Sequence, residues 1–151
     1  MKIALRASTS LAFDNLKEEY DCVLGEGVDQ YRKLGVEYGK IVFKRIAKKG
    51  VKIKILIVGK KNNSARVEAM KQSMPKSNYE IRSVIAKDII PCPNFALIDS
   101  RELWLRVASL GKGATILTDV KEIVEMAKNQ FEALWADPKT KIEAQPSTLE
   151  T

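Results

Sequence analysis

Side chains that usually carry acid–base or nucleophilic chemistry are scarce in this sequence. Its 151 residues include no histidine and two cysteines, Cys22 and Cys92. Histidine is the side chain whose ordinary pKa suits proton transfer near neutral pH, so histidine-dependent catalysis is excluded. A cysteine becomes a nucleophile only where a base or a positive field stabilises its thiolate. Cys92 lies between Pro91 and Pro93 with no histidine to activate it, and we therefore predict that the protein is not an enzyme.

Metal, cofactor and membrane sites also lack a sequence signal. A structural zinc site within one chain would have to combine the two cysteines with carboxylates, so no metal is predicted. Neither of the common glycine-rich phosphate loops is present, so no cofactor is predicted. Two cysteines are too few for a disulfide framework, and we expect free thiols. No apolar run reaches the ~20 residues of a membrane span, and residues 1–6 do not begin a signal peptide. We predict a cytoplasmic protein that is not transmembrane.

Positive charge is concentrated in one segment of the chain. The net charge is +7, and residues 40–61 contain nine basic residues and no acidic one, which leaves 17 basic against 19 acidic residues elsewhere. Such a segment can bind nucleic acid, anionic lipid or an acidic partner, or it can be an ordinary solvated surface. The candidate anion-binding residues are Lys44, Arg45, Lys48, Lys49, Lys52 and Lys54.

Apolar spacing indicates alternating helices and strands. Apolar residues three and four apart predict a helix over Asp29–Lys49, and alternation that becomes a continuous apolar run predicts a strand over Val51–Val58. A short helix follows from Asn63 or Ser64 to about Met74, where Pro75 ends it. We expect further strands at Lys2–Ser8, Tyr79–Ile85 and Ala114–Leu117, and a hairpin formed by Phe95–Ile98 and Leu103–Val107.

The ends of the chain are less regular. Residues 11–27 lack a sustained period and are predicted to be a short helix or a loop. Asp119 and Glu122 form a capping-box pattern before a helix whose apolar face ends at Phe131 and Trp135. The polar residues 137–151 are predicted to be a disordered tail. These elements together predict a single domain of the α/β class, a mixed-sheet α/β sandwich.

Three segments resemble one half-domain of the phospholipase D-like superfamily. Residues 46–56 are similar to the helix end and first core strand of that half-domain. Pro91-Cys92-Pro93-Asn94-Phe95-Ala96-Leu97-Ile98-Asp99 stands where the superfamily carries its His-x-Lys-x4-Asp motif, and residues 118–135 are similar to its closing helix. The resemblance implies a phospholipase D-like domain over residues 28–136, with residues 1–27 contributing an N-terminal strand and an acidic loop to it, followed by the tail.

The motif has lost most of its reactive residues. Cys92 stands at the histidine position and Asn94 at the lysine position, so only Asp99 matches. The nucleophile and the phosphate-neutralising charge of the active enzymes are therefore absent. The pattern resembles degenerate, non-catalytic modules of archaeal regulators, which implies that Cys92, Asn94 and Asp99 line a ligand pocket. The alternative for Asp99 is a structural role, because Asp-Ser-Arg-Glu is good hairpin-turn chemistry.

Two functions follow from these observations. The first is a non-catalytic phospholipase D-like sensor or effector module in regulation, which binds an unidentified small ligand or a regulatory protein. The second is a basic adaptor that docks on nucleic acid or anionic membrane through residues 40–61. Phospholipase D-like enzymes build their site between two half-domains, and this chain has the length of one, so the resemblance also implies a homodimer.

Overall fold

The computed structural model of the chain describes residues 16–24, 46, 48–59, 62–73, 79–85, 94–109 and 112–146. The strand predicted at Lys2–Ser8 lies outside these residues. So does the helix predicted over Asp29–Lys49, apart from Ile46, Lys48 and Lys49.

Seven strands and two helices form the described structure. The strands are β1 (Glu19–Leu24), β2 (Lys52–Gly59), β3 (Tyr79–Ile85), β4 (Asn94–Ile98), β5 (Glu102–Ser109), β6 (Lys112–Thr118) and β7 (Lys141–Ala144); the helices are α1 (Ser64–Ser73) and α2 (Lys121–Trp135). The strands form one sheet in the order β6-β5-β4-β1-β2-β3-β7. Strands β1, β2 and β3 are parallel, and β4, β5, β6 and β7 join by antiparallel pairing. This mixed sheet with its helices confirms the predicted α/β class.

Strand β2 lies between β1 and β3 in the sheet, and both of its faces are covered. Its alternate residues Ile53, Ile55 and Ile57 belong to the core on the α1 face of the sheet, together with Val67 of α1. Leu56 and Val58 belong to a second core on the α2 face. The continuous apolar run at the end of β2 is therefore explained by burial on two sides, as in other parallel strands.

The start of α1 is fixed to the carboxyl ends of the parallel strands. Asn63 is buried, and its Nδ2 donates to the carbonyl oxygen of Val84 at 3.2 Å. The guanidinium of Arg66 donates to the carbonyl oxygens of Val58 and Leu24 at 3.0 and 2.9 Å. Gly59 is required here because a Cβ at that position would collide with the Asn63 side chain.

Helix α2 crosses the opposite face and buries Val124 and Phe131. The helix predicted from Asp119 is thus confirmed, but the predicted capping box does not form. The N-cap is Val120, which has no side-chain cap, and the Val120 N–H donates to Thr118 Oγ1 at 3.1 Å. The hydroxyl of Thr118 therefore organises the entry to the helix.

Two predictions about local structure are wrong. Within the stretch predicted as helix or loop, Glu19–Leu24 form the strand β1, which pairs with β2 and β4. Within the predicted disordered tail, Lys141–Ala144 form β7, which pairs with β3 and is fastened by Ser83 Oγ donating to Glu143 Oε1 at 2.7 Å. Both strands carry charged residues at buried or half-buried positions. The alternation of polar and apolar residues that usually predicts a strand is therefore not visible in the sequence.

The predicted β4–β5 hairpin is confirmed, and its turn joins the start of β1. Asp99 and Ser100 both have positive φ, 53° and 56°, a turn conformation that Asp tolerates better than most residues. The Asp99 carboxylate accepts the backbone N–H groups of Lys17 at 2.9 Å, Glu18 at 2.8 Å and Glu19 at 2.9 Å. Its side chain is only 3 % exposed, so this carboxylate serves as a structural acceptor.

Replacing Asp99 therefore tests how much these three hydrogen bonds stabilise the fold. We expect Asp99→Ala to lower the free energy of unfolding by roughly 2–4 kcal/mol. Three N–H groups lose their acceptor, and alanine is strained at the positive φ of this position. Asp99→Asn keeps one acceptor oxygen and should lose less. Asp99→Gly relieves the backbone strain and isolates the carboxylate contribution. Urea unfolding measures all three, and an Asp99→Ala variant as stable as the wild type would contradict the structural role.

Candidate polyanion-binding edge

Five exposed basic residues from three separate segments gather at the amino ends of β1 and β2. We call this surface the basic edge, and it consists of Lys17, Lys48, Lys49, Lys52 and Arg101. Lys17 precedes β1, Lys48 and Lys49 lie in the turn before β2, Lys52 begins β2, and Arg101 lies in the β4–β5 turn. Charge density along the sequence predicts the three residues near β2 but gives no signal for Lys17 and Arg101.

Backbone and side-chain contacts hold the three segments in register. Lys52 N donates to the carbonyl oxygen of Glu18 at 3.0 Å. Lys49 Nζ donates to the carbonyl oxygen of Leu16 at 3.3 Å. The Arg101 guanidinium lies 3.5 Å from Asp99 Oδ2, the same carboxyl oxygen that accepts the Lys17 N–H. These contacts fix the backbone positions from which the side chains of the basic edge extend, at the ends of β1 and β2 and in the β4–β5 turn.

Two acidic residues lie in the described segments that form this surface. Within residues 16–18, 48–52 and 99–101 the acids are Glu18, which is exposed, and Asp99, which is buried. Burial acts to raise the pKa of Asp99, but the N–H donors of Glu19, Glu18 and Lys17 and the charge of Arg101 outweigh it, and the pKa lies below its ordinary value. Asp99 is therefore ionised at neutral pH and offsets part of the Arg101 charge.

Lys54 does not belong to the basic edge, although its sequence position suggests it. Its Nζ lies 3.2 Å from Glu19 Oε1 and 5.7 Å from the centre of the Trp135 ring. The guanidinium of Arg82 lies 4.3 Å from the same ring and donates to the Trp135 carbonyl oxygen at 2.8 Å. Lys54 and Arg82 thus hold the end of α2 by cation–π contacts on the tryptophan.

A buried acid lies beside this cation–π cluster. Asp21 is 7 % exposed and its Cα is paired with that of Lys54 on β2. Its Oδ1 is buried without a hydrogen-bond partner among the described residues, whereas Glu19 Oε1 is in ionic contact with Lys54. Burial raises the pKa of Asp21 to about 7; the charge of Glu19 and a hydrogen bond to it act in the same direction, and Lys54 and Lys52 oppose them.

The remaining predicted site residues have different outcomes. Lys44, Arg45 and Cys92 lie outside the described residues. Asn94 begins β4, where its backbone pairs with that of Arg106. Asp99, the one residue matching the phospholipase D-like motif, follows the opposite end of β4. Its carboxylate accepts the backbone N–H groups of residues 17–19 at the start of β1. The predicted ligand pocket of Cys92, Asn94 and Asp99 stays a prediction.

A shallow depression adjoins the basic edge at the N-terminus of α2. It has a volume of about 320 Å³ and is lined by Ser100, Arg101, Asp119, Lys121, Val124 and Glu125. Two basic and two acidic side chains share it, so its net charge is close to zero. The depression therefore does not extend the positive surface.

The remaining cysteine, Cys22, is suited to packing and not to chemistry. It is buried in the core on the α1 face. Burial raises the pKa of its thiol to about 12, and Asp21 adds to this rise, while a hydrogen bond with Tyr20 opposes it. A thiol held protonated in this way is a poor nucleophile.

Comparison with known proteins gives a likeness of fold. No protein-family model matches the chain, and no curated protein sequence matches it. Among solved structures, the chain is similar to TrmBL2, an archaeal chromatin protein whose structure shows a novel mode of DNA binding, with a TM-score of 0.59 and 17 % sequence identity. The match covers 89 % of this chain and 49 % of that chain, so this chain spans about half the length of the TrmBL2 chain.

The two helices of the described structure are also informative about membranes. Neither combines the length and the apolar character that a membrane crossing requires.

The raised pKa of Asp21 predicts a particular dependence of stability on pH. The folded-state pKa of about 7 exceeds the ordinary value of 3.8, so the folded state binds this proton more tightly than the unfolded state. The contribution is full below about pH 4 and is lost as pH rises towards and through 7. We expect the free energy of unfolding of the wild type to fall relative to that of Asp21→Asn over this window, by a few kcal/mol at most.

Denaturant unfolding of both proteins between pH 4 and pH 8 measures the difference. Asp119→Asn, at an exposed carboxylate, is the matched control and should follow the wild type. A wild type and Asp21→Asn pair whose stabilities stay parallel across this window would show that Asp21 ionises normally.

Proposed function

We propose that the chain docks on nucleic acid through the basic edge, as a module of a regulatory or chromatin-associated protein. The observation that carries the proposal is the convergence of Lys17 and Arg101 with Lys48, Lys49 and Lys52 at one end of the sheet. Residues up to 84 positions apart in the chain contribute like charges to one surface. Like charges repel, so such a surface is stabilised when a polyanion binds to it.

The chemistry of the edge favours phosphate contacts. Lysine and arginine bind phosphate oxygens and release the counterions that surround them. The described part of the edge presents no aromatic side chain for base stacking, and stacking is the usual means of binding single strands. Phosphate contacts position a protein on a duplex without reading its sequence, so we expect binding to duplex DNA with little sequence preference.

Similarity to TrmBL2 supports nucleic acid over an anionic membrane as the partner. TrmBL2 is a chromatin protein that binds DNA, and the fold that this chain shares with it spans most of the described residues. We therefore propose nucleic acid as the partner and treat binding to acidic liposomes as a contrary outcome.

The sensor hypothesis receives less support from the geometry. It requires Asp99 to face a ligand, whereas the Asp99 carboxylate is almost fully buried and accepts three backbone N–H groups. A phospholipase D-like ancestry and a homodimer remain compatible with nucleic-acid docking, and sedimentation equilibrium at micromolar concentration is the direct measurement of the dimer.

Charge reversal at the basic edge tests the docking function. We expect the triple variant Lys48→Glu, Lys49→Glu, Lys52→Glu to weaken binding to a 20-base-pair duplex by at least about tenfold at low salt, because three phosphate contacts become repulsive. For the wild type, five phosphate contacts at most predict a slope of log K against log salt no steeper than about −4.5. Fluorescence anisotropy at several salt concentrations gives both quantities.

A matched control separates the edge from net charge. The triple variant Lys71→Glu, Lys139→Glu, Lys141→Glu changes the net charge by the same amount on α1, the α2–β7 turn and β7, and it should retain most of the affinity. Circular dichroism checks that both variants are folded. Equal loss in the two triple variants, or wild-type binding to acidic liposomes but not to DNA, would exclude docking on nucleic acid through this edge.

A further inference from the structure

The carboxyl groups of Glu19 and Asp21 form an acid pair that the docking function does not use. They stand two residues apart in β1 and therefore project from the same face of the sheet, the face that α2 covers. Lys54 is the cation in contact with the pair, and it is bound to Glu19 at 3.2 Å. Asp21 Oδ1 is left buried with no hydrogen bond among the described residues. An ionised carboxylate in that position would be costly, whereas a protonated carboxyl group can share its proton with Glu19.

Charged groups on the neighbouring elements contact other partners or solvent. On β2, Lys54 binds Glu19 and Lys52 is exposed. On β3, Arg82 and Glu80 form a salt bridge with each other at 2.8 Å. Strand β4 places the apolar Leu97 beside Asp21. On α2, Lys128 is half-buried and Glu132 is exposed.

The acid pair is connected directly to the basic edge. Glu19 is the Cα partner of Lys52, and Asp21 is the Cα partner of Lys54 two residues further along the same strands. The backbone N–H of Glu19 donates to Asp99, which also holds the Lys17 backbone and lies 3.5 Å from the Arg101 guanidinium. A charge that forms on Asp21 therefore lies about two residues inward from the phosphate-binding lysines.

We propose that Asp21 holds a proton that is released to solvent as pH rises through neutrality, and that this release weakens polyanion binding at the basic edge. The proposal rests on the proposed docking function. With Asp21 protonated, Glu19, Asp21 and Lys54 sum to zero charge; after the proton leaves, they sum to −1. The added negative charge repels a bound phosphate backbone, and the effect is partly screened because the edge is exposed.

Linkage between protonation and binding sets the size of the effect. One added charge at roughly 10 Å from a phosphate is expected to weaken binding about two- to fivefold. Reciprocity requires that DNA binding raise the pKa of Asp21 by a corresponding amount. The sequence contains no histidine, so no imidazole titrates in this range, and Cys92 is a further group whose ordinary pKa lies near its upper end.

The experiment compares the wild type with Asp21→Asn at constant ionic strength between pH 6 and pH 8.5. Duplex binding is measured by anisotropy, and the carboxyl carbon of Asp21 is followed by NMR in the free protein and in the complex. We expect the wild-type dissociation constant to rise two- to fivefold across this range and that of Asp21→Asn to stay constant, close to the wild-type value at pH 6. Asp119→Asn removes one carboxylate but retains the Asp21 carboxyl group, and it should follow the wild type.

The two measurements separate failure of this inference from failure of the docking function. An Asp21 carboxyl carbon that titrates below pH 5 overturns the inference whatever the DNA result. So does an equal pH dependence of binding in the wild type and Asp21→Asn. Absence of DNA binding at every pH instead overturns the docking function, and with it the regulatory step, while the NMR titration still decides whether Asp21 holds the proton.

Discussion

One carboxylate holds together the parts of this protein that carry charge. Asp99 lies in a tight turn between β4 and β5, and it accepts three consecutive backbone N–H groups at the start of β1. This contact fixes where β1 enters the sheet, between β2 and β4. It also brings Lys17 and Arg101 to the same end of the sheet as the lysines before β2. It acts together with the Lys52–Glu18 backbone hydrogen bond, which holds the start of β1 against β2.

The acceptor role of Asp99 agrees with the structural role that its turn chemistry predicts. The aspartate is the one residue of the phospholipase D-like motif that this sequence retains; the resemblance implies a ligand pocket for it, whereas its turn chemistry favours a structural role. In the structure, both carboxylate oxygens of Asp99 accept hydrogen bonds from the backbone N–H groups of residues 17–19. A carboxylate that already accepts three hydrogen bonds has little capacity left for a ligand.

Lysines close together in the sequence have different physical roles here. Lys52 is exposed at the first position of β2, whereas Lys54 lies two residues inward and is half-buried between Glu19 and Trp135. The same strand face therefore changes from a solvated, positive surface to a compact cluster of opposite charges. Such a cluster stabilises the end of α2 only if its charges balance, and the raised pKa of the buried Asp21 favours its neutral form below pH 7.

The chain's own residues determined much of the architecture. The apolar run of β2 and the alternation in β3 predict those strands within one residue of their observed bounds, since a buried strand leaves a local, periodic signal. The stripe ending at Phe131 and Trp135 predicts α2 for the same reason. Asp99 and Ser100 predict the hairpin turn because few residue types accept its backbone angles.

The tertiary structure decided what local pattern cannot express. Strands β1 and β7 were not predictable, because Glu19, Asp21 and Glu143 face partners from distant segments and break the alternation of polar and apolar residues. The basic edge joins Lys17 to Arg101 across 84 positions of sequence, and the proton-holding environment of Asp21 depends on burial under α2. Charge density along the chain identifies lysines, but pairing in three dimensions determines which of them remain available, since electrostatic energy depends on distance and burial.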